Sequence, residues 1–220
     1  MAVELSFWQK IESIIFPVSV RKSSNALNPV LELFYYRRRY ILATKDAVYS
    51  DGTEYRPLVK AFDAPVLKPH LGQLKNVLVL GTGLASAVHI LYARHHRPHM
   101  TLVEIDAAVL EWAREFLPAE ARAHVRAEHA DAFAFIAADA NTYDLIIVDI
   151  FIGRTVPEKA TDPIFLEQCK ARLNSEGFLI LNYMEARADK PGKAKAALEA
   201  AFDTVTEISF GINKVYIAQP

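Results

Sequence analysis

The sequence is short of the features that assign a protein quickly. It has one cysteine, Cys169, so no intramolecular disulfide can form, and no cysteine and histidine set has the spacing of zinc ligands. A disulfide scaffold and a structural metal are both excluded, Cys169 is left to helix packing, and the chain reads as cytoplasmic and metal-free. Charge of either sign is not in excess: 25 basic against 26 acidic side chains leave a net charge of −1, which argues against the phosphate-tracking surface of a nucleic-acid binder. No apolar run approaches the roughly 20 residues that cross a bilayer. The first apolar stretch is interrupted by Glu4, Lys10 and Glu12, without the layout of a secretion signal. Neither nucleic acid nor membrane is therefore expected as a partner. A Gly-Xaa-Ser-Xaa-Gly elbow and a phosphate-loop lysine motif are also missing, which removes the common hydrolase and nucleoside-triphosphatase readings. His89, His95, His96 and His99 cluster in sequence, but not at the spacing of a metal site, and read as surface residues.

What is present is apolar substance in a regular order. With 52% hydrophobic residues in 220, the chain can bury one substantial core plus a small appendage. Phe7, Trp8, Ile11, Ile14 and Ile15 make an amphipathic first helix, expected to pack at home or on a partner subunit; Trp8 and Trp112 are expected in core or interface. Residues 29–50 are rich in Val, Leu, Phe, Tyr and Ile around Arg37, Arg38 and Arg39, which predicts antiparallel strands joined by a turn. Asp51-Gly52-Thr53 punctuates them, and a short helix is predicted from near Glu54, capped by Asp51 or Thr53. These features place an N-terminal extension at 1–65 and the main domain at 70–220. The main domain carries five short apolar runs, 76–80, 100–104, 125–130, 145–149 and 178–182, with helical stretches after each of the first four. That alternation is how βα units of a parallel sheet read in sequence. A helix around 193–202 then leads to 205–210, a Gly211-Ile212-Asn213 turn and 214–218, a closing hairpin.

In an open parallel sheet, ligands bind outside the carboxyl ends of the strands, so the residues that follow each run carry the chemistry. Gly81-Thr82-Gly83-Leu84-Ala85-Ser86 follows the first run: a tight turn that lets backbone approach a ligand in front of a helix N-terminus. Glu104 ends the second run, 23 residues beyond Gly81, where a carboxylate can accept both hydroxyls of an adenosine ribose. Asp131, in Ala130-Asp131-Ala132-Phe133, suits the exocyclic amine of adenine, with Phe133 beside the ring. Asp149 ends the fourth run, next to the transferable group, where it can orient or deprotonate an amine. Each acid alone is as consistent with a solvated loop as with a site; their recurrence on one sheet edge is what gives them weight.

In this order the residues resemble the spermidine and spermine synthase family of aminopropyltransferases over roughly 30–185. The likeness lies in the β-rich piece before Glu54-Tyr55-Arg56, then Gly81 and Gly83, Val103-Glu104-Ile105-Asp106, Asp131, and the run from Tyr143 to Asp149. The resemblance implies an α/β, Rossmann-like class I methyltransferase fold: a seven-stranded, mostly parallel sheet with a terminal antiparallel hairpin, plus the small N-terminal β-rich extension. It implies a transferase that takes S-adenosylmethionine or its decarboxylated form as co-substrate, a small-molecule acceptor such as an amine, and a homodimer. The nucleoside-contacting set it implies is Gly81, Gly83, Glu104, Ile105, Asp131, Ala132 and Asp149, with Asp149 and Tyr55 catalytic. Three positions depart from the family pattern: Leu84 and Ile152 stand where it has acids, and Arg56 where it has glutamine. Polyamines need several carboxylates to replace their hydration, so these departures point away from classical spermidine synthesis toward methyl or aminopropyl transfer to another acceptor. A true polyamine aminopropyltransferase, a non-catalytic nucleoside-binding scaffold and, more weakly, an NAD-binding dehydrogenase are the alternatives.

Overall fold

The computed structural model describes residues 5–45, 47–184 and 192–220. A short helix α1 (Phe7–Glu12), closed by a capping box between Ser6 and Gln9, leads into four strands, β1 (Val18–Ser23), β2 (Leu31–Tyr36), β3 (Arg39–Thr44) and β4 (Val48–Ser50). They form one antiparallel sheet in chain order. The β2–β3 turn carries Arg37 and Arg38 at positive φ, as a two-residue hairpin turn demands, while Arg39 bends back to pair with Asp51 at 2.6 Å. Strand β1 is an addition to the sequence reading, because Val-Ser-Val-Arg-Lys-Ser lacks the apolar density of its neighbours.

After a 3-10 turn at Gly52–Glu54, helix α2 (Arg56–Phe62) begins two residues later than expected, with Tyr55 at its N-cap and Pro57 in its first turn. The main sheet then builds up from β5 (Asn76–Leu80), α3 (Ser86–Ala93), β6 (His99–Glu104), α4 (Ala107–Phe116), β7 (Val125–His129), α5 (Ala132–Ala138), β8 (Tyr143–Val148), α6 (Pro163–Ala171), β9 (Leu173–Met184), α7 (Lys193–Ala201), β10 (Thr204–Phe210) and β11 (Asn213–Gln219). Its order is β10-β11-β9-β8-β5-β6-β7: five parallel strands closed by an antiparallel hairpin. Among the described residues no helix is long and apolar enough to cross a membrane.

The central strands β5, β8 and β9 are buried on both faces, so successive residues feed different cores. Val77, Val79, Leu145, Ile147 and Ile180 face α2 and α3, whereas Leu78, Leu80, Ile146, Val148 and Leu181 face the side of α6 and α7, where Cys169 is fully buried. A third, smaller cluster joins the two sheets: Leu31, Leu33 and Leu42 meet Leu84, Val109 and Trp112. Trp112 is thus core as expected, but Trp8 is 75% exposed and α1 has no buried residue.

Beside this third cluster lies a buried polar joint. Asp106 caps α4 through the amides of Ala108 and Val109, and its other oxygen accepts Asn25 Nδ2 at 2.9 Å and Asn28 Nδ2 at 2.6 Å from the β1–β2 loop. Burial would push the Asp106 carboxyl up, but the two asparagines and two amides outweigh it and hold its pKa below the usual aspartate value. Asp106→Ala removes the cap and strands both asparagine amides. It should cost about 3 kcal/mol in urea unfolding; a loss under about 1 kcal/mol would show that the loop adds nothing to the joint.

Candidate active site

Strand order reverses at β5, whose neighbours β6 and β8 lead the chain away in opposite directions. Loops at such a switch point diverge and leave a crevice. Here it is a cleft of about 680 Å³. Gly81, Gly83, Glu104, Ile105, Asp131 and Ala132 line it, and so do Tyr55 and Asp149, so the structure gathers every residue expected of the site.

The backbone prepares the floor. Gly81 has φ +88°, and a β-carbon there would collide with the Asp149 carbonyl where the ends of β5 and β8 pass each other. Gly83, at φ +51°, meets the N-terminal sheet in the same way: its missing side chain would lie 2.9 Å from the Tyr49 carbonyl oxygen. The glycine loop is tied to the next strand by Glu104, whose Oε2 accepts the amides of Thr82 at 3.0 Å and Gly83 at 3.4 Å, while Oε1 accepts that of Asp106 at 3.1 Å. Burial nevertheless raises the Glu104 pKa against these three donors.

Asp131 occupies the N-cap of α5, accepting the Ala134 amide at 2.9 Å with Oδ1, and remains exposed at the cleft edge. Phe133 beside it packs edge-on to Phe165 with ring centroids 4.9 Å apart, which fixes the ring in the wall. Ile105, 45% exposed, presents bare apolar surface between these groups, and its carbonyl is 3.0 Å from His129 Nε2.

The centre of the cleft is a triangle. Asp149 Oδ1 accepts Asn182 Nδ2 at 2.7 Å and the Tyr55 hydroxyl at 3.2 Å, and Asn182 Nδ2 also lies 3.3 Å from that hydroxyl. Burial is the chief reason that the Asp149 pKa rises to about 6; the bonds from Asn182 and Tyr55 oppose the rise, and the charge of Glu104 adds to it. Burial and then the Asp149 charge raise Tyr55 well above the ordinary phenol, so it stays protonated and donates. Asn182 was not singled out from sequence, although it ends the fifth apolar run as Asp149 ends the fourth, and the same strand-end rule finds it.

The three departing positions have different fates. Leu84 is 2% exposed in the joint between the sheets and does not line the cleft, so no carboxylate could serve the ligand from its place without unmaking that cluster. Ile152 is on the cleft wall and 64% exposed. Arg56 is exposed at the rim with its guanidinium carbon 5.5 Å from the Phe210 ring centre, a cation–π contact with the closing hairpin.

The family model for the spermine/spermidine synthase domain matches residues 64–212. The chain belongs to this family. Its similarity to a polyamine aminopropyltransferase of Shouchella clausii is 31% identity over 148 residues, 66% of this chain and 52% of that protein. The chain spans about half the length of that relative. By structure it is similar to a probable spermidine synthase from Corynebacterium glutamicum, with a TM-score of 0.73 at 19% identity, covering 93% of this chain and 80% of that one. It is also similar to human methyltransferase-like protein 13 in complex with SAH, with a TM-score of 0.57 at 23% identity over 69% of this chain and 74% of the other. At these identities the structural likeness speaks to the fold, which is the one the spermidine synthases share with the class I methyltransferases.

A carboxyl whose pKa rises on folding, from the usual 3.8 to about 6 for Asp149, favours the native state fully below pH 4; that contribution is lost as pH rises through about 6. Asp149→Asn keeps the shape and removes the buried charge. The variant should be more stable than the parent by about 2 kcal/mol at pH 8, after allowing for the side Asp149 shows to the cleft, with the difference vanishing near pH 4. Urea midpoints at the two pH values check this; a variant less stable at pH 8 would contradict it.

Proposed function

We propose that this chain transfers an aminopropyl group from decarboxylated S-adenosylmethionine to the nitrogen of an amine acceptor. The observation that carries the reading is the Asp149–Tyr55–Asn182 triangle on the cleft floor of a spermine/spermidine synthase family member. Homologues named polyamine aminopropyltransferases and a solved spermidine synthase complexed with the transition-state analogue AdoDATO support it.

In this reading Glu104 accepts the ribose hydroxyls, and Asp131 accepts the adenine amine with the oxygen that its helix cap leaves over. Ile105 and Ala132 flank the base, and Gly81 and Gly83 let the backbone come close to the sulfur end. The acceptor arrives as an ammonium and gives one proton to the Asp149 carboxylate, which a pKa of about 6 leaves ionised at neutral pH yet basic enough to share the proton. The freed lone pair forms the new N–C bond while the C–S bonding pair leaves on sulfur. The positive charge passes from sulfonium to product nitrogen, methylthioadenosine departs, and Asp149 returns its proton to solvent. Tyr55 and Asn182 hold the carboxylate in line, and since the sulfonium is already an activated leaving group, the catalytic work is positioning.

Methyl transfer from intact S-adenosylmethionine is the second reading. What favours it is that the glycine loop presents no carboxylate to the aminopropyl ammonium, Leu84 being packed into the joint between the sheets, whereas the intact donor brings a carboxylate of its own beside that ammonium. Calorimetric titration with the intact and decarboxylated donors separates the two: tighter binding of the decarboxylated form supports aminopropyl transfer, and preference for the intact form overturns it.

Two substitutions test the division of labour. Glu104→Ala should abolish nucleoside binding, whereas Asp149→Asn should keep donor affinity within about threefold and lower kcat at least about 100-fold. In the parent, kcat/KM should climb with pH through about 6 as Asp149 ionises. Equal loss of donor binding in both variants would refute the assignment.

A further inference from the structure

The cleft is polar at one end and apolar at the other. Beyond Asp149 its walls come from three separate places: Val48 on β4, Ile152 after β8, and Phe210 and Ile212 on the closing hairpin. The walls are joined to the triangle and to each other. Asn213 Nδ2 reaches Asn182 Oδ1 at 3.5 Å, and the Gly153 amide donates to the Tyr49 hydroxyl at 2.7 Å. Val48, Ile152 and Ile212 are 55%, 64% and 54% exposed, so an edge strand, a loop and a hairpin turn each bring an exposed aliphatic side chain to the cleft lining. Exposed apolar side chains gathered at the mouth of a site fit an apolar body that enters with the ligand.

The charges on that side agree. Asp51 is neutralised by Arg39 at 2.6 Å, and Glu54, like Arg56 and Arg154, lines the cleft from an exposed position, where water solvates its charge. Among the described residues, Asp149 is the acid that faces this half of the cleft from its floor without a cationic partner. One interior carboxylate suits one ammonium. A second ammonium, a few carbons further along a diamine, would exchange its water for Ile152, Ile212 and Phe210.

We infer that the acceptor is a primary monoamine with an apolar alkyl or aryl body, not a polyamine. This rests on the transfer reading above and names its substrate class. The step is the same: the monoamine ammonium cedes a proton to Asp149, its nitrogen forms the bond to the aminopropyl carbon, the C–S pair leaves on sulfur, and the products are the N-alkylated diamine and methylthioadenosine.

The test uses the full chain with saturating decarboxylated S-adenosylmethionine and follows methylthioadenosine release with n-hexylamine and with 1,6-diaminohexane, which differ by one terminal ammonium. In parallel, calorimetry measures the binding of each amine to the chain loaded with methylthioadenosine. The expected result is kcat/KM at least tenfold higher for hexylamine, with Ile152→Asp, a change at an exposed position, moving the preference toward the diamine. A parent that uses the diamine as well or better overturns the inference, and so does an Ile152→Asp variant with an unchanged ratio. If no amine releases methylthioadenosine, the transfer reading has failed and the binding arm decides alone: tighter hexylamine upholds the monoamine site, while equal or tighter diamine, or no binding of either, refutes it.

Discussion

A carboxylate taken out of water must be met by donors, and much of this structure is the consequence of meeting Asp149. Its two side-chain partners come from far along the chain: Asn182 from inside β9 and Tyr55 from the start of α2. For Tyr55 to arrive, α2 must begin at the sheet's carboxyl edge, and the segment before it must be fastened there. Ser50 and Ser86 bind hydroxyl to hydroxyl at 2.5 Å in a buried contact, and the Tyr49 carbonyl passes over Gly83. Gly81 in turn has to be glycine because the Asp149 backbone occupies the space a side chain would need. The N-terminal sheet is therefore part of the site's construction, because it fastens the segment that delivers Tyr55 to the central group.

The same strand carries a second aspartate with the opposite fate. Asp144, near the other end of β8, accepts the amides of Lys75 at 2.7 Å and Asn76 at 2.9 Å and the side chain of Asn174 at 2.6 Å. Burial would raise it, but these donors prevail and its pKa falls below the usual value. Asp149 has fewer donors and an acid neighbour, Glu104, and rises to about 6. Two identical residues five positions apart are thus a strand fastener and a candidate base. The difference lies in how deeply each is buried and how many N–H groups meet it, and only folding decides that.

This is also the boundary of what could be read from sequence. The parallel strands and the closing hairpin were legible because buried strands are long apolar runs separated by helices, a pattern that few other arrangements produce. Glu104, Asp131 and Asp149 were legible because topology gives strand ends a fixed address. Asn182 lay at such an address but is neutral and sits within a twelve-residue strand, so nothing in its chemistry drew attention. The Asp106 joint was invisible for another reason: its donors, Asn25 and Asn28, lie in a loop about eighty residues away, and no periodicity links them. Leu84 read as a missing ligand group, whereas its place in the cluster of Leu31, Leu33 and Val109 shows a residue occupied with holding two sheets together.

The proposed donor half and acceptor half of the cleft are built from different material. Glu104 and the glycines stand at the ends of β5 and β6, inside the sheet, where a substitution disturbs strand register and core, and Asp131 caps α5. Val48, Ile152 and Ile212 stand on an edge strand, a loop and a hairpin turn, each more than half exposed. Asp149 lies between the two sets and is shared by both. A fold arranged this way can change what it accepts without changing what it donates, because Val48, Ile152 and Ile212 belong to none of the clusters that pack the donor strands. Arg56 illustrates the separation: its contact with Phe210 belongs to the hairpin, and no hydrogen bond ties it to the triangle one residue away.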